Sequence, residues 1–504
     1  MEEQFDVVII GAGLGGLLSA VFLAKEGRKV AIIEQNKQLG GCLQTFSFDK
    51  KLFDSCVHYI GAIEPGQTQH KIFKYAGIME DLALEKLSLN GFDEIVFGNE
   101  STAYPHAQGA QNFIEQLLPF FPKEKENLQQ YWNLLQDTVD HFPLYNLEVG
   151  DNTKKYKVTN RELQKTIASL TSNERLQSVL TGSNILYAGQ RNCTPFYLHA
   201  LIVKSYIDSA YKFPKGSSQI TKLLTRELRK SGGSILKMEK VTRIQTQDGL
   251  VHKAITASGK EISGKQFIAN MPPAIFLKLL DQPLFKPAFR QRVAGTRNTI
   301  SSFMVNMVLK PGTIAYPNKN IYWNRSTDVY QGIQYRPQDW PENYALYFSR
   351  DKNNPQFAES VAILTYMNYE EFGLWTGSHN NSAQPAERPQ AYLDKKMEKA
   401  ERLIRVVSQR YPELCRNCLS FKTASPLTFR DYIGTEDGNM YGIAKSLDDP
   451  KQTAITVASK IPNLFFTGQN AGIHGVLGVS ITAVATCGHI LGFEYLVQKI
   501  NQAS

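Results

Sequence analysis

A chain of 504 residues is too long for a single hydrophobic core, so we expect two or three lobes. Its hydrophobic content of 42% and charged content of 20% are typical of a globular protein, and its net charge of +9 is mild for this length. No run of lysine and arginine reaches five and no nucleic-acid-binding motif is present, which argues against a nucleic-acid partner. The positive charge indicates either a solvated basic surface or a weak attraction to anionic lipid headgroups.

The chain opens with a strand, a glycine turn and a helix in immediate succession. Residues 5–10 form an apolar run typical of a buried strand, and residues 17–25 have helical spacing. Between them, Gly11 permits a tight turn, Gly13 leaves room for a pyrophosphate, and Gly16 lets the helix approach the strand. The helix N-terminus offers free N–H groups to phosphates. This unit predicts a dinucleotide-binding site rather than an ordinary βαβ turn.

A second strand, residues 29–33, ends at an acidic side chain. The Glu34 carboxylate can accept hydrogen bonds from both hydroxyls of a ribose and would repel a 2′-phosphate, which argues against NADP at this site. Gly40 and Gly41 follow shortly afterwards. Adjacent glycines let the backbone pass close to a flat or phosphate-bearing group, although a simple turn is the structural alternative.

Two polar features stand out in the first half of the chain. His58 and Tyr59 lie in an apolar stretch, and such a pair can exchange protons near neutral pH; the structural alternative is a core histidine bonded to a carbonyl. Further on, residues 219–229 predict a helix that Ser217 or Ser218 would cap.

The middle of the chain changes character several times. Residues 112–212 are mostly helix-like, with long polar turns. Residues 234–271 contain short strands joined by tight turns, which we expect to form a meander beside the first lobe. Strands within residues 300–366 predict a second, antiparallel sheet, and residues 388–411 predict an amphipathic helix.

The C-terminal region returns to the pattern of strand, glycine turn and helix. Residues 463–470 predict a strand and turn, and the last helix begins near residue 475. A second helix N-terminus directed at a cofactor would stabilise negative charge on an electron-rich ring. Residues 475–497 are apolar, but their Ser, Thr, His and Glu side chains favour a helix in a globular core over a membrane span.

Six scattered cysteines are too few and too widely spaced for a disulfide framework. The single CxxC at residues 415–418 has no second pair and indicates neither a zinc site nor a redox centre. Neither HExxH nor a carboxylate-rich loop occurs, so we expect no metal, and the missing GxSxG elbow argues against a serine hydrolase. Because the first strand begins at residue 5, we expect no signal peptide and a cytoplasmic protein with reduced thiols.

These blocks together resemble the FAD-dependent amine oxidase and phytoene desaturase superfamily. Within it the chain is similar to the all-trans-retinol 13,14-reductase (retinol saturase) branch, and the related carotenoid cis–trans isomerases share much of the pattern. The matching blocks run from residue 5 to about residue 492, whereas residues 310–345 and 376–395 carry no recognised motif. The segments that carry the resemblance are Gly40-Gly41-Cys42, Thr45-Phe46, Phe53-Asp54, His58-Tyr59-Ile60-Gly61, His199-Ala200-Leu201, Phe213-Pro214-Lys215-Gly216-Ser217-Ser218, Thr467-Gly468-Gln469 and Gly475-Val476-Leu477-Gly478.

The resemblance implies a non-covalent FAD and an α/β fold. A discontinuous Rossmann-like FAD-binding domain would carry a second α+β substrate domain, with an antiparallel sheet under a long apolar tunnel and a helical insert. His58 and Tyr59 would lie where the substrate approaches and are the candidate catalytic residues. The cofactor-binding residues implied are Gly11, Ala12, Gly13, Gly15, Gly16, Glu34, Gln35, Gly40, Gly41, Val241, Asn270, Gly468, Gln469, Val476 and Leu477.

We expect the two domains to interleave along the chain. The FAD-binding parts are predicted at residues 1–90, 213–285 and 416–504, a helical substrate or lid insert at residues 91–212, and the substrate domain with its antiparallel sheet at residues 286–415.

The implied activity is redox chemistry at carbon–carbon double bonds of a polyene or isoprenoid lipid, related to retinoids or carotenoids. We favour saturation by hydride transfer from reduced flavin, with Tyr59 or His58 as the acid. Because only one dinucleotide fingerprint is present, NAD(P)H would enter by the substrate route or a partner would reduce the flavin. The alternatives are a desaturase, a cis–trans isomerase, an amine oxidase with Tyr432 and Trp375 as an aromatic cage, or a polyene carrier.

We expect no N-terminal secretory or membrane segment of the kind found in the animal enzymes, so a bacterial polyene or isoprenoid is an alternative substrate at least equal to retinol. Peripheral membrane contact is a further hypothesis. Apolar residues near Lys123 and Lys125 would dip into a headgroup layer, unless the helix that carries them faces the core. These apolar residues are Phe113, Leu117, Leu118, Phe120 and Phe121.

Overall fold

The computed structural model describes residues 4–151, 153–448 and 450–503. The strands are β1 (Gln4–Ile10), β2 (Val30–Glu34), β3 (Thr45–Phe48), β4 (Lys51–Asp54), β5 (Tyr59–Gly61), β6 (Glu85–Lys86), β7 (Asp93–Phe97), β8 (Ala103–His106), β9 (Ala210–Lys212), β10 (Ser234–Lys237), β11 (Val241–Gln247), β12 (Leu250–Thr256), β13 (Glu261–Ala269), β14 (Ser301–Leu309), β15 (Asn320–Asn324), β16 (Asn343–Arg350), β17 (Ala358–Met367), β18 (Cys418–Ala424) and β19 (Leu464–Phe466).

The α-helices are α1 (Leu14–Lys25), α2 (Thr68–Ala76), α3 (Ala110–Leu117), α4 (Lys125–Asp140), α5 (Leu163–Leu170), α6 (Glu174–Leu180), α7 (Phe196–Asp208), α8 (Ser218–Lys230), α9 (Pro273–Leu279), α10 (Pro287–Ala294), α11 (Gln390–Arg410), α12 (Pro412–Arg416), α13 (Pro426–Ile433), α14 (Pro450–Thr453), α15 (Gly475–Leu491) and α16 (Phe493–Gln502). Short 3₁₀ helices span Gly41–Leu43, Met79–Asp81, Pro143–Asn146, Lys154–Lys157, Asn184–Leu186, Val329–Gly332 and Tyr369–Trp375.

The first sheet has the strand order β10-β2-β1-β13-β12-β11, with β19 beside β13. Strands β10, β2, β1, β13 and β19 run parallel, whereas β11 and β12 are antiparallel additions. The central strand β1 is apolar on both faces because each face meets a core: Val7 and Ile9 pack on one side, Val8 and Ile10 on the other. The predicted α/β fold with a Rossmann-like domain is confirmed.

The strands of residues 234–271 differ from the predicted meander in one respect. β10 pairs in parallel with β2, at the sheet edge opposite β11, so only β11, β12 and β13 form the meander. The reason is the connection that precedes β10: helix α8 lies against α1 and returns the chain to the same end of the sheet, which produces a parallel neighbour.

The second sheet has the order β18-β14-β17-β16-β15-β7-β8 and is antiparallel except for the β15–β7 pair. It contains the predicted strands of residues 300–366. It also contains β7 and β8, which lie in the predicted helical insert, and β18, which lies in the predicted third FAD-binding part. The boundary at residue 416 therefore differs from the structure, and the insert that begins at residue 91 is not purely helical, because long-range pairing recruits these short strands.

The helices of residues 110–208 bury the apolar residues that the sequence offered as a membrane patch. Phe113, Leu117 and Phe121 are fully or almost fully buried, and of this group Phe120 alone is exposed, at 40%. The core-facing alternative therefore holds for Phe113, Leu117 and Phe121; Phe113 contacts Tyr131 and Phe121 contacts Tyr104.

Two further helix predictions change in detail. Ser217 occupies the N-cap position of α8, but its side chain donates to Asp54 Oδ1 at 2.6 Å rather than capping the helix. The apolar stretch of residues 475–497 is divided by Gly492, whose φ of +97° ends α15 before α16 begins. Among the described residues, no helix combines the length and apolar character needed to cross a bilayer.

Candidate functional site

A cavity of about 840 Å³ opens where the parallel strands of the first sheet end. Its lining includes the last residues of β1 and β2 and the residues that follow β13 and β19. Ligands of open parallel sheets bind at these carboxyl ends, and this volume lies in the upper range of small-molecule and cofactor sites. The cavity continues to side chains of the second sheet, Tyr347 and Leu364.

The structure brings most of the predicted site residues to this cavity. Ala12 and Gly16 do not line it: the Ala12 N–H donates to Glu34, and Gly16 packs against the Gly11 carbonyl. The predicted residues that line the cavity are Gly11, Gly13, Gly15, Glu34, Gln35, Gly40, Gly41, His58, Tyr59, Val241, Asn270, Gly468, Gln469, Val476 and Leu477.

The glycine loop after β1 is packed so tightly that side chains would not fit. A Cβ at Gly16 would lie 2.2 Å from the carbonyl oxygen of Gly11, so the helix can approach the strand only with glycine there. Asn270 fills the space beneath the loop and donates from Nδ2 to the Gly11 carbonyl at 3.1 Å. Gly40 donates its N–H to the Ala12 carbonyl at 2.9 Å, which joins the second glycine pair to the loop.

Two helix N-termini lie at the cavity with free N–H groups. α1 begins after Gly13 and α15 after His474, and neither N-cap side chain accepts a hydrogen bond from its helix. Both N-cap residues line the cavity. Unsatisfied N–H groups and the positive end of each helix dipole favour an anionic ligand group at both places.

Glu34 is held in place by the backbone. One carboxylate oxygen accepts from the Ala12 N–H and the other from the Asn36 N–H, both at 2.8 Å. Burial raises the pKa of Glu34, and these backbone donors lower it. Each carboxylate oxygen retains a lone pair for a further donor, such as a ribose hydroxyl.

Part of the cavity wall near Gln35 comes from segments in which the sequence offered no signal. His379, Asn381 and Gln384 line it, as do Arg430 and neighbouring residues at the end of α13. Residues 376–395 carried no recognised motif, and their place at the cavity follows from contacts with α13: Asn380 N–H donates to Asp431 at 2.9 Å.

The other end of the cavity is built from aromatic side chains, and we call it the aromatic end: His58, Tyr59, Tyr206 and Tyr347. The His58 ring stacks on Tyr347 at 4.1 Å between centroids. Burial, with the positive charge of Lys212, lowers the pKa of His58 to about 3. His58 is therefore neutral at physiological pH and cannot act as a cationic acid.

The hydroxyl of Tyr59 is engaged in a buried network. It donates to Asp93 Oδ2 at 2.9 Å and shares a 2.7 Å hydrogen bond with the hydroxyl of Tyr322. Tyr322 in turn bonds the hydroxyl of Tyr347 at 3.3 Å. The network meets the cavity at Tyr59, whose hydroxyl has two partners, and at Tyr347, which ends this chain of hydroxyls.

Asp93 is the titratable group of this network. Burial raises its pKa to about 7, while hydrogen bonds from Asn320 and Tyr59 lower it. No motif or spacing in the sequence marked Asp93, Tyr322 and Tyr347 as site residues. They belong to β7, β15 and β16, and only the pairing of these strands brings their side chains together.

Three buried polar atoms on cavity-lining residues have no hydrogen-bond partner in the described part of the chain: His58 Nε2, Thr435 Oγ1 and Thr467 Oγ1. Buried polar groups are normally satisfied, so these atoms point to a polar ligand. Together with the glycine cradle, the uncapped helices and Glu34, they fit FAD, with its diphosphate at the glycine loop. Within the described residues, no cluster of side chains is arranged to hold a metal ion.

The two residues predicted as the aromatic cage of an amine oxidase, Tyr432 and Trp375, do not lie at the cavity. Trp375 packs against Phe372 and Tyr392, and Tyr432 is 37% exposed. Neither is part of the cavity lining. Trp375 ends the 3₁₀ helix Tyr369–Trp375 and Tyr432 lies in α13, both outside the aromatic end.

Comparisons with known proteins agree with this description. Residues 9–76 match the model of a NAD(P)-binding Rossmann-like domain. The chain is 26% identical to all-trans-retinol 13,14-reductase of Rattus norvegicus, over 95% of this chain and 84% of that protein. It is 22% identical to 4,4'-diapolycopen-4-al dehydrogenase of Metabacillus indicus, over 52% of this chain and 55% of that protein.

Among solved structures, an oxidoreductase from Methanosarcina mazei is similar in fold, with a TM-score of 0.66 and 15% identity over 96% of this chain and 99% of that chain. The relatives confirm the resemblance to the retinol 13,14-reductase and carotenoid branch that the motifs indicate.

Proposed function

We propose that this protein is an FAD-dependent oxidoreductase that acts on carbon–carbon double bonds of a polyene or isoprenoid lipid, by saturation. The observation that carries the proposal is one continuous cavity with two different ends. The phosphate end, defined by the glycine loop and Glu34, is polar, and the aromatic end continues into apolar side chains. These apolar side chains are Ile60, Leu186, Leu201, Ile202, Leu364 and Met440.

Such a cavity suits a dinucleotide whose ring faces a hydrophobic substrate. The glycine loop and the N-terminus of α1 would hold the diphosphate, Glu34 the adenosine ribose, and Gly468, Gln469 and the start of α15 the flavin side. When bound, FAD supplies two-electron hydride chemistry at the double bond. The apolar walls orient the polyene and exclude water.

The protein's own side chains would supply the proton that the double bond receives. With Asp93 ionised, the hydroxyls of Tyr347, Tyr322 and Tyr59 each donate toward its carboxylate. With Asp93 protonated, the same chain of hydrogen bonds can run in the opposite direction and deliver a proton at Tyr347, on the cavity wall. Asp93 is suited to this role because its pKa of about 7 allows both states near neutral pH.

A desaturase or cis–trans isomerase is the second candidate. The similarity to a carotenoid dehydrogenase favours it, since the same cavity would serve oxidation of a polyene. The electron donor is a separate question: NAD(P)H by the substrate route remains a proposal.

The test is an anaerobic single turnover. Flavin-loaded protein is reduced, freed of excess reductant and mixed with all-trans-retinol or a carotenoid. We expect flavin absorbance to return while the polyene gains two hydrogen atoms, measured by mass spectrometry. Isomerised polyene of unchanged mass would favour the second candidate, and unchanged polyene with flavin still reduced would refute both.

A matched pair of variants tests the proton path in the same assay. Tyr347→Phe removes the hydroxyl at the cavity and should slow turnover about 10²-fold or more. Tyr344→Phe, on the same strand, removes a buried hydroxyl without a partner in the described part of the chain and should leave the rate unchanged. Equal rates for both variants would exclude Tyr347 as the donor.

A further inference from the structure

Two cysteines line the cavity, Cys42 and Cys56. All six cysteines of the chain lie within the described residues and are free thiols. The other four donate to oxygen atoms: Cys193 to Gln190, Cys415 to Ile404, Cys418 to Ser420 and Cys487 to Ser19. Cys42 and Cys56 differ from them because their thiols are hydrogen-bonded to each other.

The hairpin of β3 and β4 brings the two thiols together. Thr45 pairs with Asp54, and the ladder continues for one step beyond the strands, where the Ser55 N–H donates to the Gln44 carbonyl at 3.0 Å. Cys56 is the next residue on one side, and Cys42 lies in the 3₁₀ turn on the other. The pairing ends one residue short of Cys56 and two residues short of Cys42, which brings the two cysteines close together.

The position of the pair relative to the cofactor site is equally well defined. Cys42 follows directly on Gly41, and the Gly40–Gly41 turn is bridged to Gly13 of the glycine loop. Cys56 is two residues before His58, at the aromatic end. The two thiols therefore stand between the phosphate end and the aromatic end of the cavity.

The two thiols are not equivalent. The hydrogen bond from Cys56 lowers the pKa of Cys42, whereas the same bond and burial raise the pKa of Cys56. Thiol–disulfide exchange proceeds through a thiolate, so a lowered pKa at Cys42 favours the exchange at that sulfur.

We propose that Cys42 and Cys56 form a reversible disulfide inside the cavity and pass two electrons to the bound flavin, so that a dithiol can serve as the electron source. This inference rests on the proposed flavin function and answers the question of the donor that the single dinucleotide fingerprint leaves open.

The electron transfer balances as follows. The two S–H bonds break and one S–S bond forms between the sulfur atoms of Cys42 and Cys56. The two electrons and two protons released convert oxidised flavin to its reduced form. An external dithiol then regenerates the pair by thiol–disulfide exchange: it is oxidised to its own disulfide, and both cysteines return to thiols.

The disulfide can be read directly by peptide mass. Trypsin cleaves after Lys37, Lys50, Lys51 and Lys71, so Cys42 and Cys56 fall in separate peptides, residues 38–50 and 52–71. Flavin-loaded protein is oxidised in air without thiols, alkylated under denaturing conditions and digested. We expect residues 38–50 linked to residues 52–71, and loss of the link after treatment with dithiothreitol.

Anaerobic titration with dithiothreitol, followed by flavin absorbance, tests the electron transfer. Flavin of the wild type and of the control Cys193→Ser should bleach, whereas Cys42→Ser and Cys56→Ser, loaded with equal flavin, should bleach at least 10-fold more slowly. Cys42→Ala and Cys56→Ala serve as the second pair if a serine variant fails to fold.

The outcomes separate the two proposals. Flavin-loaded protein that shows no linked peptide, or serine and alanine variants that bleach as fast as wild type, would overturn the redox pair and leave the flavin function intact. Protein that binds no FAD, whatever its peptide map, would overturn the proposed function and with it electron transfer to flavin.

Discussion

Burial acts in opposite directions on two titratable side chains at and behind the aromatic end. It raises the pKa of Asp93 to about 7 and lowers that of His58 to about 3, because a poorly solvated site disfavours the charged form of either group. Both residues are thereby neutral at mildly acidic pH. Of the two, only Asp93 changes its charge in the physiological range, so it is the group we assign to proton supply.

Asp93→Asn tests this assignment through the pH profile. The acid form of Asp93 carries the proton, so the wild-type rate of polyene protonation should fall as pH rises through about 7. Asparagine has no such proton, and we expect a rate lowered by about 10²–10⁴-fold without that pH dependence. Stopped-flow flavin reoxidation at a series of pH values measures both effects.

The neighbouring carboxylate provides the control. Glu94 forms an ion pair with Lys319 on the far side of the strand, and Glu94→Gln should keep the wild-type profile. A decline of the rate near pH 7 that persists in Asp93→Asn would show that another group supplies the proton.

At the scale of elements, the first crossover depends on close contact between α1 and β1. Leu17, Leu18 and Val21 are fully buried, so the helix packs its apolar side chains into the first core. The absence of a side chain at Gly16 sets how near the helix start can come to the Gly11 carbonyl. The same approach directs the N-terminus of α1 into the cavity.

Gly16→Ala tests whether this contact matters for the cofactor. The added Cβ would meet the Gly11 carbonyl oxygen at 2.2 Å, so helix or loop must shift. We expect a loss of about 1–3 kcal/mol in the free energy of unfolding and a large fall in bound flavin. Flavin absorbance per protein and a melting curve measure the two effects.

Gly377→Ala is the matched control for the added methyl group. No atom lies within 4 Å of the position that its Cβ would take, and it should behave as wild type. Normal flavin content in Gly16→Ala would contradict the assignment of the glycine loop to the cofactor site.

At the scale of the whole molecule, the cavity is shared by two sheets. Strand ends of the first sheet supply the phosphate end, while β16 and β17 of the second sheet supply Tyr347 and Leu364 at the other. A ligand that spans this cavity contacts both lobes, so its binding should stabilise them together.

Addition of FAD to flavin-depleted protein should therefore raise the melting temperature in a single transition. Stabilisation grows with ligand concentration and reaches about 2.7 kcal/mol at one hundred times the dissociation constant. Differential scanning calorimetry measures it, with NADP as the comparison ligand, since the Glu34 carboxylate should repel its 2′-phosphate. Equal stabilisation by NADP, or none by FAD, would contradict the assignment of the cofactor.

The local pattern of residues 5–34 was enough to predict the crossover, the glycine cradle and the acidic end of β2, because hydrogen bonds and sterics between near neighbours enforce them. The sequence also predicted Gly40, Gly41 and the N-terminus of α15 at residue 475 as cofactor-site features, and all of them line the cavity. Their backbone conformation depends on near neighbours in the sequence.

The proton path and the strand membership of the second sheet depended on the folded chain. Asp93, Tyr322 and Tyr347 are separated by up to 254 residues in sequence and carry no common spacing. Their hydroxyl and carboxyl groups meet because β7, β15 and β16 pair side by side, in an order set by the burial of the whole sheet. Spacing along a chain encodes turns and helix starts, but contacts between distant strands are chosen by the packing of all the elements at once.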